Sequence, residues 1–187
     1  MRHSETDSKG EIFAAASYLF SEQGYSATTV RQIAHRAGID PAMVIRHFHT
    51  KETLFLETMR ALVDLELPIT PPVETLGRRI VGALLDASPG MRKTYLALLR
   101  ASEVPSVREV LRQANSLGIV RPLEELLEGP DAGLRAHATA AMVGGFAYAL
   151  WLLEDPALTG ADREALLEHY GNSIQAALTG PSSNLAR

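Results

Sequence analysis

The chain of 187 residues contains no cysteine. That excludes a disulfide framework, a thiol nucleophile and a cysteine-ligated metal centre, and it fits a reducing cytoplasm. Aromatic residues are sparse at 6%, with a single tryptophan, Trp151. There is no HExxH metal motif, no glycine-rich phosphate loop ahead of a helix, no internal repeat and no sustained β-alternation. His137 and His169 are isolated, and Ser102, Glu103 and Ser106 form no triad with a histidine that spacing justifies. No cofactor is implied, and an enzyme is disfavoured. The most apolar run, Ala138–Leu153, ends at Glu154-Asp155 short of the roughly 20 residues that a membrane span needs. It reads as a buried helix. The N-terminus, MRHSETDSKGE, is polar and unlike a signal peptide, so the expected location is cytoplasmic.

Net charge is −4, which at first argues against an anionic partner. Its distribution argues the other way. Thr28–Lys51 holds Arg31, Arg36, Arg46 and Lys51 against Asp40 alone, with His35, His47 and His49 alongside. Many acids lie far off, at Glu124, Glu125, Glu128, Asp162, Glu164 and Glu168.

Hydrophobic spacing and breakers divide the chain into helices. Residues 1–9 are expected to be disordered. A first helix runs from about Lys9 or Gly10 to Glu22, with Ile12, Ala15, Ala16, Leu19 and Phe20 on one face, and Gly24 ends it. Thr28 or Thr29 caps a second helix, which Gly38 breaks. Asp40-Pro41 opens a short third helix to about Phe48. Thr50 caps a fourth, with Leu54, Phe55, Met59, Leu62 and Val63 inward. Pro68, Pro71 and Pro72 mark a boundary. Beyond it, helices are expected over 73–86, 91–102, 106–128, 131–153 and 162–178, with Pro122 kinking or splitting the third of these. The expected architecture is all-α: an N-terminal three-helix helix-turn-helix domain with its connecting helix over 10–67, and a helical bundle over 73–180 that forms a dimer and binds ligand.

Two short helices joined by a tight turn are the means by which a protein seats one helix in the major groove of DNA. Ala34 is small where the helices cross, and Gly38 supplies the turn. Ala42, Met43 and Arg46 point away from that core. Ala42 and Met43 suit thymine methyl groups, and Arg46 suits a base or a phosphate. Arg31 lies near the start of the preceding helix, within reach of the groove. Thr29 is a phosphate contact or a plain helix cap. His47 is a phosphate contact or a packing residue, and Lys51 a phosphate contact or a solvated residue near a helix start. Arg2 and Lys9 are placed to add contacts from the N-terminus.

These residues carry a resemblance. AAxxLFxExGYxxTTV from Ala15 to Val30, IAxxAG from Ile33 to Gly38 and RHFxxKExLF from Arg46 to Phe55 resemble the TetR family of transcriptional regulators. The resemblance implies an all-helical homodimer, usually a repressor. It implies DNA contacts from the helices holding Arg31 and Ala42–His47, and phosphate contacts at Thr29, His47 and Lys51. One position departs from the family: Ile45 stands where a phosphate-binding tyrosine is usual. Residues 77–100 resemble a C-terminal subtype seen in actinobacterial members.

Asp131–Leu153 is rich in alanine and glycine and apolar nearly all round, so it must be covered on more than one side. Asp162–Leu178 is amphipathic, with Leu166, Leu167, Tyr170, Ile174, Ala177 and Leu178 on its apolar side. A two-fold dimer with a four-helix interface covers both; packing inside a monomer is the alternative. Such a dimer sets two recognition helices roughly 34–36 Å apart and reads a near-palindromic operator in double-stranded DNA. Tyr95, Leu99, Met142, Phe146, Tyr148 and Trp151, with Asn115 as a polar handle, are the candidate lining of a site for a small hydrophobic effector. An activator of the same fold and a helical protein-interaction adaptor are the alternatives to a repressor.

Overall fold

The computed structural model describes the backbone of residues 5–62 and 67–180, and the side chains of 8–59 and 67–180. Among the described residues every regular element is helical. They are α1 (Glu5–Ala27), α2 (Val30–Ala37), α3 (Pro41–Phe48), α4 (Lys51–Leu62), α5 (Leu76–Leu85), α6 (Pro89–Arg100), α7 (Pro105–Asn115), α8 (Arg121–Leu126), α9 (Ala132–Ala147), α10 (Pro156–Thr159) and α11 (Arg163–Thr179). A 3₁₀ turn (Val73–Thr75) leads into α5, and π turns (Ser116–Val120, Tyr148–Leu152) follow α7 and α9.

Several breaks fall where the sequence puts them. Gly24 leaves the helical region at φ 79° within α1. Gly38 closes α2 in the left-handed conformation at φ 69°, where a side chain is strained. The long 106–128 span is split ahead of Pro122, which has no N–H to continue the ladder. Helix α1 begins at Glu5, earlier than the expected start at Lys9 or Gly10, so residues 5–9 are helical. The expected disorder of 1–4, the contacts of Arg2 and the inward placing of Leu62 and Val63 lie outside the described residues.

The chain folds into two compact units that cut across its linear order: Met1–Asp64 with Ser88–Arg112, and Leu65–Ala87 with Gln113–Arg187. Helices α6 and most of α7, which lie within the expected 73–180 domain, pack with the first unit. The reason is the inner face of α6 and α7. Ala97, Leu98, Ala101, Val107 and Val110 join Ile12, Phe20, Ile33, Val44, Phe48, Leu54, Phe55 and Met59 in one buried cluster. Glu22 pairs with Lys93, and Ser106 donates to Glu52, across the same unit.

In the second unit α11 packs against α5 and α9, and α8 against α9. The crossing of α5 and α11 is close because Gly77 faces Gly171. Arg135, only 13% exposed at its side chain, ties the start of α9 to the last turn of α11. Its guanidinium donates to Asp131 Oδ1 at 3.0 Å and to the carbonyls of Leu178 and Glu128. Replacing Arg135 by alanine is expected to cost about 2 kcal/mol, since charged hydrogen bonds of low exposure are lost together. An unchanged urea midpoint would show that the clamp carries no stability.

Candidate nucleic-acid interface

The α2–α3 pair is locked by its own caps. Thr29 is the N-cap of α2: the Gln32 N–H donates to Thr29 Oγ1 at 3.2 Å, and Thr29 N–H donates to Gln32 Oε1 at 2.8 Å. This reciprocal capping box satisfies two backbone donors at once. Asp40 caps α3 by accepting from the Ala42 N–H at 2.8 Å, with Pro41 at the first helical position. Thr50 caps α4 by accepting from the Thr53 N–H at 3.0 Å. Ile33, Ala34, Val44 and Phe48 turn inward and are at most 1% exposed. The opposite side of the pair is left to solvent.

That outer side carries Arg31, Gln32, His35 and Arg36 from α2, and Ala42, Ile45 and Arg46 from α3. Met43 is half-buried beside them. The arrangement brings Arg31, Ala42, Met43 and Arg46 to one short helix pair, with side chains reaching solvent. The guanidinium of Arg36 lies over the Tyr18 ring at 3.5 Å, and Lys9 Nζ stands 5.4 Å from the Phe48 ring. These cation–π contacts hold two more positive charges near the helix pair. Arg36–Tyr18 had no signal in the sequence, because the two residues sit on different helices.

The three residues with two readings have different surroundings. Thr29 is a cap, and its hydroxyl also donates to Gln32 Oε1 at 2.9 Å. His47 is half-buried, and its Nε2 is turned inward with no hydrogen-bond partner among the described residues. Lys51 is half-buried rather than solvated. Its ammonium donates to the carbonyls of Tyr25 and Thr28 at 2.9 and 3.0 Å and lies 4.1 Å from the Tyr25 ring. Burial lowers its pKa, since the ammonium has lost part of its water. The Tyr25 hydroxyl is shifted up by burial and then by the charge of Glu52.

The candidate effector residues do not gather in one unit. Tyr95 and Leu99 are half-buried on α6 in the first, and burial raises the Tyr95 pKa. Asn115, Met142, Phe146, Tyr148 and Trp151 belong to the second. Phe146 and Trp151 are buried, with the Phe146 ring 4.2 Å from that of Tyr170. Asn115, Met142 and Tyr148 are exposed. The physical reason is that α9 has two faces. Ala136, Thr139, Ala140, Val143, Phe146 and Ala147 turn inward, whereas Leu134, Ala138, Ala141, Met142, Gly145 and Tyr148 turn outward. Among the described residues no helix is long and apolar enough to cross a membrane, and no group of acids and histidines is arranged to hold a metal.

Comparison with known proteins agrees with this geometry. Residues 12–58 match the model for bacterial regulatory proteins of the tetR family, and residues 74–178 match a tetracyclin repressor-like C-terminal domain. The HTH-type transcriptional regulator HbdR of Aromatoleum sp. (strain CIB) is 30% identical, over 83% of this chain and 83% of its own. BetI of Brucella anthropi, also an HTH-type transcriptional regulator, is 33% identical, over 86% of this chain and 89% of its own. The crystal structure of a TetR-family regulator from Streptomyces coelicolor A3 superposes with a TM-score of 0.63 at 27% identity, covering 96% of this chain and 98% of that one. These relatives are transcriptional regulators, not enzymes.

Proposed function

The chain belongs to the TetR family of DNA-binding transcriptional regulators, and from that premise we propose that it is a homodimeric, cytoplasmic repressor of a near-palindromic operator, released by a small, largely hydrophobic effector. The observation that carries the DNA-binding part is the outward side of α2 and α3. It presents Arg31, Ala42, Met43 and Arg46 on helices whose caps and buried faces fix their direction. The first turn of α2 adds backbone N–H groups, which favour phosphate. Thr29, His47 and Lys51 support that surface more than they add to its charge.

The dimer rests on α9. Leu134, Ala138, Ala141, Gly145 and Tyr148 recur at alternating spacings of four and three and are all exposed, Leu134 by 75% and Tyr148 by 43%. That is the spacing expected of a seam between packed helices. A methyl group placed on Gly144 or Gly145 would meet nothing within 4 Å in this chain. Mid-helix glycine is unfavourable without a packing reason, and close approach of a second copy supplies one. His169, Asn172 and Ala176 form a matching exposed strip on α11. The effector site is supported by the two π turns, which often mark functional positions. One follows Asn115 and the other holds Trp151.

The sign of control is tested by transcription in vitro from a promoter overlapping the preferred site. A repressor lowers transcript yield as protein is added; a rise would establish the activator reading. Ile45, 45% exposed on α3, gives a second check. Ile45→Tyr restores a hydroxyl able to donate to phosphate. It is expected to tighten binding to all duplexes about fivefold, the worth of a hydrogen bond of about 1 kcal/mol. Unchanged affinity would place residue 45 away from the backbone of the DNA.

A further inference from the structure

The turn between α1 and α2 is held by side chains rather than by secondary structure. Thr28, fully buried, donates its hydroxyl to the Gly24 carbonyl at 2.8 Å and, less closely, to that of Leu19 at 3.3 Å. Gln23 Nε2 donates to the Ala27 carbonyl at 3.3 Å and approaches Gln32 Oε1 at 3.4 Å. Lys51 takes the carbonyls of Tyr25 and Thr28. The carbonyls at the end of a helix have no intrahelical partner and carry partial negative charge, so a cation there is well placed.

One peptide unit is gripped on both edges. Its carbonyl, that of Thr28, accepts from Lys51, and its N–H, that of Thr29, donates to Gln32 Oε1. This peptide leads directly into α2 and sets the direction of its first turn. We propose that Lys51 acts in DNA binding as a positioning residue, fixing the Thr28–Thr29 peptide and hence the start of α2, instead of adding a charge to the phosphates. The inference rests on the DNA-binding reading above. Two of the three ammonium donors are spent on carbonyls, and the Tyr25 ring covers the group at 4.1 Å.

The two roles differ in salt dependence. A lost phosphate contact makes the slope of log K against log salt shallower by about 0.9 per contact, whereas lost positioning weakens binding without that change. The test uses full-length protein and a duplex enriched from a random pool. Affinity is measured across a salt series for wild type, Lys51→Met, Lys51→Gln and Lys51→Arg. Amide exchange at Val30, Arg31 and Gln32 is followed in the free proteins. The expected result is that Lys51→Met binds at least about tenfold more weakly at an unchanged slope, with faster exchange at those amides. Across all the variants, affinity should follow exchange protection. The inference is overturned if affinity follows charge instead: Lys51→Arg equal to wild type despite faster exchange, and Lys51→Met and Lys51→Gln weak with a shallower slope. Should Lys51→Met fail to fold, the arginine and glutamine variants carry the same comparison. A wild-type protein that enriches no duplex would remove the DNA-binding reading itself, and this inference with it.

Discussion

Replacing Gly77 by alanine is expected to lower the melting temperature by about 6–12 °C. A Cβ at this position would stand 2.3 Å from the carbonyl oxygen of Gly171 and 2.7 Å from the backbone nitrogen of Gln175. Both are backbone atoms of α11, so no side chain can swing aside. The helices must separate, which strains the α5–α11 crossing. Gln175 also donates to the Val73 carbonyl at 2.9 Å and accepts from the Gly77 N–H at 3.0 Å, so the shift breaks these bonds as well. Overpacking costs about 1–3 kcal/mol, and backbone contact puts this case near the top of that range. For a chain of this size each kcal/mol is worth about 2–4 °C. Gly10→Ala is the control. It lies in α1 with nothing within 4 Å of the added methyl, so it is expected to be neutral or to stabilise by about 0.5–1 kcal/mol. Calorimetry that finds the two variants alike would refute the close crossing.

Gly145→Arg should convert the protein to a monomer and cut operator affinity about 100-fold or more. The new side chain meets nothing within 4 Å in its own chain at Cβ, and arginine favours a helix interior over glycine. The fold of each subunit is therefore retained, and circular dichroism should not change. In the proposed dimer the effect falls on the α9 seam, where a long cation must be desolvated against its symmetry mate. Losing the dimer unlinks the two half-site contacts, and linkage of that kind is worth about 10²–10⁴ in affinity. Sedimentation at the dimer mass with unchanged DNA binding would show that α9 is not the interface.

Much of this was legible in the chain because it depends on local chemistry. Gly38, Asp40-Pro41 and Thr50 each announce a helix end through the conformation or the hydrogen bond that the residue type supplies. The outward set of Arg31, Ala42 and Arg46 follows from the same helical frame. What the chain does not announce is the partner of a long side chain. Lys51 reads as a phosphate ligand because it is a cation beside a DNA-facing helix. In the free chain its ammonium donates to the backbone carbonyls of Tyr25 and Thr28, a pairing that no residue type advertises. His47 shows the same gap, since an imidazole suits phosphate or packing and residue type does not choose between them. Order along the chain places helix α6 with the C-terminal helices, and only the fold shows its apolar face in the core around Phe20 and Phe55. The candidate effector residues share an apolar or aromatic character, with Asn115 as a polar handle, and that character does not separate the inward Phe146 and Trp151 from the outward Tyr148.

Selection of bound duplexes from a random-sequence pool, at stated salt and with the oligomeric state measured in parallel, tests the central claim most directly. The result expected is a near-palindrome with half-sites about one helical turn apart, roughly 34–36 Å, bound by a dimer. A pool left without any enriched sequence by a properly folded dimer would contradict the account.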